Sequence, residues 1–237
     1  MIKWLRGGKW TLVIFFVIAV VVVAAGVVYD MTRTSPNTST SAEQASLPNL
    51  NPPASSPKFA VIGDSYSIPN TNGDHWPALL AFDRRWFLSD FAIGGTGYVQ
   101  GNAEKNKLPF GSQIDKVAEV NPELVLVVGG RNDVSHSLEV RDATRDLFAQ
   151  LRDRLPGAKV VVVGPIMDSK PPSPTAVMVN DRIRAAAEQY RLPFIDALSG
   201  NWLSDPALLR EDGMHPNPDG HRVLFERINE QLHALGI

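Results

Sequence analysis

The chain has 237 residues, with 23 Lys or Arg against 25 Asp or Glu; this near-cancellation argues against a nucleic-acid partner and against an electrostatic grip on anionic lipid. It contains no cysteine, which excludes disulfides, thiol catalysis and lipoprotein acylation, so stability has to come from packing. The five histidines fall in neither HExxH nor paired-ligand spacing, and neither a metal nor another cofactor is expected.

The first predicted element is membrane-directed. Trp10 to Tyr29 carries no charge and, at about 1.5 Å per residue, is long enough to cross a hydrocarbon core of roughly 30 Å. Residues 10–29 are therefore expected to form a transmembrane helix. Lys3, Arg6 and Lys9 precede the run and Asp30 follows it, which puts residues 1–9 in the cytoplasm and the rest of the chain outside. A cleaved secretory signal is the rival reading, since Ala24-Ala25-Gly26 is a small-x-small tripeptide. An apolar signal core of about 7–15 residues would be shorter than this run, which favours the anchor, and both readings export the domain. Residues 30–57 are rich in Ser, Thr, Pro and Asn with almost nothing large and apolar to bury, and are expected to be a disordered linker.

Residues 58–237 suit a single domain without internal repeats. Strands buried on both faces are predicted at 59–62, 124–128, 159–163 and 194–195, with a weaker one at 87–92. Helical patterns lie between and after them at 76–82, 112–120, 137–155, 175–190 and 218–235. The alternation predicts an α/β fold, a three-layer α/β/α, flavodoxin-like domain with a mainly parallel five-stranded sheet. In such sheets sites form beyond the carboxyl ends of the strands. The unusual segments fall at those ends: Gly63-Asp64-Ser65-Tyr66 after the first strand, Ile93-Gly94-Gly95-Thr96-Gly97 after the second, Gly130-Arg131-Asn132-Asp133 after the third. Asp212-Gly213-Met214-His215 precedes the last helix.

A serine hydroxyl is a poor nucleophile until an imidazole removes its proton, and His215 is assigned that base role toward Ser65. The Asp-x-x-His spacing in a segment with two prolines lets the Asp212 carboxylate turn toward one ring nitrogen while the other faces Ser65. Each piece also has an ordinary reading. Ser65 could cap a helix, the glycine run could be a plain turn, Asn132 and Asp133 could form a cap or an Asx-turn, and Asp212 and His215 could be a surface pair. Their joint occurrence in this order is what favours chemistry. No Gly-x-Ser-x-Gly elbow and no Walker A motif occurs, which disfavours an α/β-hydrolase or a nucleotide-dependent phosphoryl transfer. His75, His136, His221 and His233 read as surface or helix residues, and Asp64 as ordering the nucleophile turn.

These four segments resemble the blocks of the SGNH hydrolases, the GDSL-type esterases and lipases, over roughly residues 59–228. Gly63-Asp64-Ser65-Tyr66 departs from Gly-Asp-Ser-Leu only at the last residue, which is expected to carry no chemistry. The usual leading asparagine of the second block corresponds to Asp90, and the donor glycine matches Gly95 best, with Gly94 and Gly97 open. The resemblance implies a serine nucleophile at Ser65, Asp212 and His215 as its partners, and an oxyanion hole from the Ser65 N–H, the Gly95 N–H and the Asn132 amide. The expected activity is extracytoplasmic hydrolysis of carboxylic esters, short-chain O-acyl groups in particular, through an acyl-enzyme. Open alternatives are an O-acyltransferase acting on an envelope sugar, a lipase, lysophospholipase or thioesterase, and a catalytically silent envelope-binding module. The expected partners are an acyl ester of a small molecule, polysaccharide or lipid, and the membrane through the amino-terminal helix.

Overall fold

The computed structural model describes residues 55–69, 75–168 and 171–237. The stretch expected at 1–9, the transmembrane helix expected at 10–29 and the linker up to residue 54 lie outside the described residues. Among the described residues no helix is long and apolar enough to cross a membrane.

Strands β1 (Lys58–Gly63), β2 (Phe87–Asp90), β3 (Leu124–Val128), β4 (Lys159–Val163) and β5 (Phe194–Ile195) form one sheet in the order β2-β1-β3-β4-β5, with every neighbouring pair parallel. This is the predicted flavodoxin-like architecture. Apart from the exposed lysines that open β1 and β4, the three central strands are buried throughout, which explains their continuous apolar runs. Successive side chains point to opposite faces. Ala60, Ile62, Val125, Val127, Val160 and Val162 pack with residues of helices α2 (Ile114–Val120), α3 (Val140–Arg154) and α4 (Pro174–Tyr190). Phe59, Val61, Leu126, Val128, Val161 and Val163 pack with α1 (Trp76–Arg84), the short α5 (Ala197–Gly200) and α6 (Pro218–Ala234).

Local signals set the helix ends. Ser173 Oγ accepts the Ala176 N–H at 3.1 Å and Pro174 opens α4, while Asn217 Oδ1 accepts the Gly220 N–H at 2.9 Å and Pro218 opens α6. At the other ends Arg85, Asn121 and Arg191 take left-handed conformations that close the last turns.

Several boundaries differ from expectation. The helix expected at 137–155 begins at Val140, because the chain first winds through a 3₁₀ helix over Arg131–His136 that keeps Asn132 and Asp133 just beyond the carboxyl end of β3. The helix expected at 112–120 likewise begins at Ile114, behind a 3₁₀ turn over Phe110–Gln113. The strand expected at 87–92 ends at Asp90, whose carboxylate takes the N–H of Ala92 at 2.9 Å. Even so, Phe91 and Ile93 donate to the carbonyls of Val61 and Gly63, both at 2.9 Å, so the glycine segment is still led along β1. His75 is buried rather than superficial, with the Asp90 carboxylate 3.1 Å from its ring, and His221 is a helix residue that is buried on α6.

The order of strands matters for the site. From β1 the chain passes through α1 on one face to β2, and from β3 it passes through α3 on the other face to β4. The segments leaving β1 and β3 therefore part at a topological switch point, where a crevice opens beyond the strand ends.

Candidate active site

β1 ends at Gly63, paired with Val128 of β3, and the chain turns at once. The Asp64 carboxylate accepts the N–H of Tyr66 at 2.9 Å and the Asp64 carbonyl accepts the N–H of Ser67 at 3.1 Å. Ser65 sits at the apex of this turn and does not cap a helix, since α1 begins only at Trp76. Asp64 is buried, and burial pushes its pKa up to about 7, against the lowering effect of the Tyr66 N–H and of Arg131. Its observed bonds make it the organiser of the turn.

His215 is delivered by a loop between Leu209 and Pro216, which are joined as an antiparallel bridge. Asp212 Oδ1 accepts the N–H groups of Met214 and His215, each at 2.9 Å, and Asp212 Oδ2 lies 2.7 Å from His215 Nδ1. These donors, the His215 N–H first, hold the Asp212 carboxyl well below the usual carboxylate range. An ionised carboxylate only accepts, so Nδ1 carries the hydrogen and the Nε2 lone pair is left for the other side. On that side Ser65 Oγ is 3.1 Å away, across 150 residues of sequence.

The glycine segment and the segment after β3 are tied together by one carboxylate. Asp133 is fully buried, and its two oxygens accept the N–H groups of Tyr98, Val99 and Gln100 at 2.9, 2.9 and 2.8 Å. Gly97 leaves room for it: a Cβ there would stand 2.3 Å from Asp133 Oδ2. Asn132 Nδ2 donates one hydrogen to the Thr96 carbonyl at 2.9 Å, which orients the amide and leaves its second hydrogen uncommitted. Gly95 is exposed at φ +78, a conformation that favours glycine. Among the described residues the N–H groups of Ser65 and Gly95 have no acceptor, whereas the Gly97 N–H is bonded to the Gln100 carbonyl at 2.9 Å and is thereby spent. Gly94 lies beside the turn, where its Cβ would be 3.7 Å from the Ser65 Cβ.

The structure thus brings Ser65, His215 and Asp212 into one hydrogen-bonded line, with Gly95 and Asn132 on segments that converge on the same end of the sheet. One role differs from expectation: Asp133 is neither a helix cap nor an Asx-turn residue but the acceptor for three distant amides, and the small residue it requires, Gly97, is visible in the glycine run. Tyr66, expected to carry no chemistry, makes a structural bond that the sequence did not suggest: its hydroxyl donates to the Met214 carbonyl at 2.8 Å. Tyr98, beside the glycine run, packs its ring against Phe110 and Phe148 in the core. A nucleophile, a base held in one tautomer and uncommitted donors next to them are the parts that acyl transfer requires.

Comparison with known proteins agrees with this chemistry. A family model described as "GDSL-like Lipase/Acylhydrolase family" matches residues 61–223. A GDSL lipase of Mycobacterium tuberculosis is 30% identical over 189 residues, covering 71% of this chain and 78% of that protein. Platelet-activating factor acetylhydrolase IB subunit alpha1 of Homo sapiens is 27% identical over 192 residues, covering 76% of this chain and 75% of that one. Among solved structures, the psychrotrophic esterase EstA of Pseudoalteromonas sp. shares the fold with a TM-score of 0.61 at 15% identity, over 75% of this chain and 97% of that one.

Proposed function

We propose, from the premise that this chain belongs to the GDSL-like lipase/acylhydrolase family and is an ester-hydrolysing enzyme, that Ser65, His215 and Asp212 carry out its reaction through an acyl-enzyme. The observation that carries this reading is the line from Asp212 Oδ2 through His215 to Ser65 Oγ, with gaps of 2.7 and 3.1 Å. His215 Nε2 takes the hydroxyl proton as Ser65 Oγ attacks the ester carbonyl, and Asp212 stabilises the imidazolium that results. The charge that develops on the carbonyl oxygen meets the Ser65 N–H, the Gly95 N–H and the free hydrogen of the Asn132 amide. The intermediate collapses when the imidazolium returns the proton to the departing alcohol. Water, deprotonated in its turn by His215, then releases the acid and restores Ser65.

The substrate is an O-acyl ester with a short acyl group, on an envelope sugar or lipid outside the cytoplasm. Two features support this: the uncharged run at 10–29 flanked by Lys3, Arg6, Lys9 and Asp30, which would anchor an outward-facing domain, and a relative whose name is that of an acetylhydrolase. Residues 30–57 would then be the tether. The preserved nucleophile, base and carboxylate argue against a catalytically silent binding module.

The test is hydrolysis of nitrophenyl esters of rising chain length. Ser65→Ala and His215→Ala should each lower kcat by about 10³-fold or more and by similar factors, since the two act as a unit. Ester cleavage that survives in Ser65→Ala would remove the nucleophile assignment, and a preference for long chains would favour a lipid substrate. Acyl product on an added sugar in excess of hydrolysis would turn the assignment toward O-acyl transfer.

A further inference from the structure

The loop that carries the proposed base is built on itself. Arg210 N–H donates to the His215 carbonyl at 2.8 Å, Gly213 N–H to the Arg210 carbonyl at 2.9 Å, and the Arg210 guanidinium to the Pro216 carbonyl at 3.0 Å. Together with the Asp212 bonds these fix His215 against Asp212. They do nothing to fix it against Ser65. Residues 210–214 are exposed and Gly213 stands at φ +65, so packing from outside does not hold this stretch either.

Among the described residues two hydrogen bonds join the loop to the nucleophile turn. One is the His215–Ser65 contact, which the proposed reaction must break and remake. The other runs from the Tyr66 hydroxyl to the Met214 carbonyl, 148 residues apart in sequence, and involves no reacting atom. The tyrosine that provides it is itself held firmly. It is almost wholly buried, its N–H is bonded to Asp64, and the Arg131 guanidinium lies 5.5 Å from the centre of its ring. Arg131 is in turn fixed by both oxygens of Asp168, at 2.7 and 3.3 Å. The His215 ring is 6.0 Å from the Tyr66 ring, centre to centre. Burial pushes the phenol pKa up, so the hydroxyl remains a donor throughout the neutral range.

We infer that Tyr66 is a positioning residue: its hydroxyl clamps the backbone of the histidine loop to the nucleophile turn and so keeps His215 Nε2 within reach of Ser65 Oγ through both acyl-transfer steps. The inference rests on the reading of Ser65 and His215 given above. Its physical basis is that a loop secured only by its own bonds can shift as a body, and a displacement of about 1 Å at a reacting group can cost on the order of 10²-fold in rate.

Tyr66→Phe tests it, because the ring over Arg131 is kept and only the donor is lost. With full-length protein and nitrophenyl acetate, kcat should fall roughly three- to tenfold, the worth of one such bond, with KM unchanged. The rate at which a phosphonate ester labels Ser65 should fall by the same factor. In a His215→Ala background, Tyr66→Phe should have no further effect on that labelling rate, which a purely structural role or a contact with substrate would not produce. Wild-type kcat in Tyr66→Phe, or the same loss with and without His215, overturns the clamp. Either result, alongside inactive Ser65→Ala and His215→Ala, leaves the proposed function standing; ester cleavage surviving in those two variants would sink the function itself.

Discussion

At the scale of single residues, a buried carboxylate does most of the organising. Asp133 brings the glycine segment to the site by taking three consecutive backbone N–H groups, and charge-assisted bonds of this kind are the stronger class. Burial raises the Asp133 pKa, and those same N–H groups oppose the rise. Gly97→Ala is the sharpest probe, since its Cβ would fall 2.3 to 2.6 Å from the carboxylate group. The variant is expected to lose about 1–3 kcal/mol of stability through forced displacement and to lose kcat along with it, as Gly95 and Thr96 move. Equilibrium denaturation beside ester kinetics checks both, and wild-type values in the two would remove Asp133 as the link. The line of Ser65, Asp212 and His215 was legible in the sequence because acyl transfer calls for these residue types and because their segments follow the order of the family blocks they resemble. Asp133 was not, because a carboxylate that bonds three distant amides looks, in one dimension, like any Asp in a turn.

At the scale of elements, α6 is buried against α1 and the sheet, and its first turn contains a histidine. His221 is wholly buried among the described residues and neither ring nitrogen has a hydrogen-bond partner there. Burial, then the nearby His75 and Arg210, push its pKa down from 6.5 to about 4. The folded state thus prefers the neutral ring. Above pH 6.5 this has no consequence. As pH falls from about 6.5 toward 4 the unfolded chain takes up the proton first and stability drops, until the folded form also protonates. Asp64, raised from 3.8 to about 7, acts in the opposite direction over an overlapping range, so the effect belongs in a difference. His221→Leu should melt with less loss between pH 6.5 and pH 4 than the wild type, by scanning calorimetry at several pH values. Parallel melting curves for the two proteins would disprove the assignment. The caps at Ser173 and Asn217 are seen in the structure, whereas helix positions were readable from apolar spacing. The late start of α3 at Val140 was not, because its preceding 3₁₀ helix is held by contacts to the glycine segment.

At the scale of the whole molecule, one parallel sheet with both faces covered accounts for the length of the domain and for its independence of cysteine. The sheet begins before the first strand residue: the Phe87 N–H at the start of β2 donates to the Pro57 carbonyl at 2.9 Å. A protein of residues 55–237 is therefore expected to unfold in a single transition, to stay in solution, and to cleave nitrophenyl acetate with the kcat/KM of the full chain. The full chain should remain with the membrane after carbonate extraction, as the anchor proposed at 10–29 requires. Its release into the supernatant would count against that anchor, and an inactive or aggregating 55–237 protein would show that the domain boundary is misplaced. By itself the sequence determined the layered α/β architecture and the residue types of the proposed reacting groups, since hydrophobic periodicity and the residue types that acyl transfer needs are written residue by residue. Only the tertiary structure decided that Gly97 makes room for Asp133, that the Gly97 N–H is already spent, and that Tyr66 bridges to Met214. Those are relations between segments far apart in the chain, and such partners are chosen by the geometry of packing, which no local stretch of sequence contains.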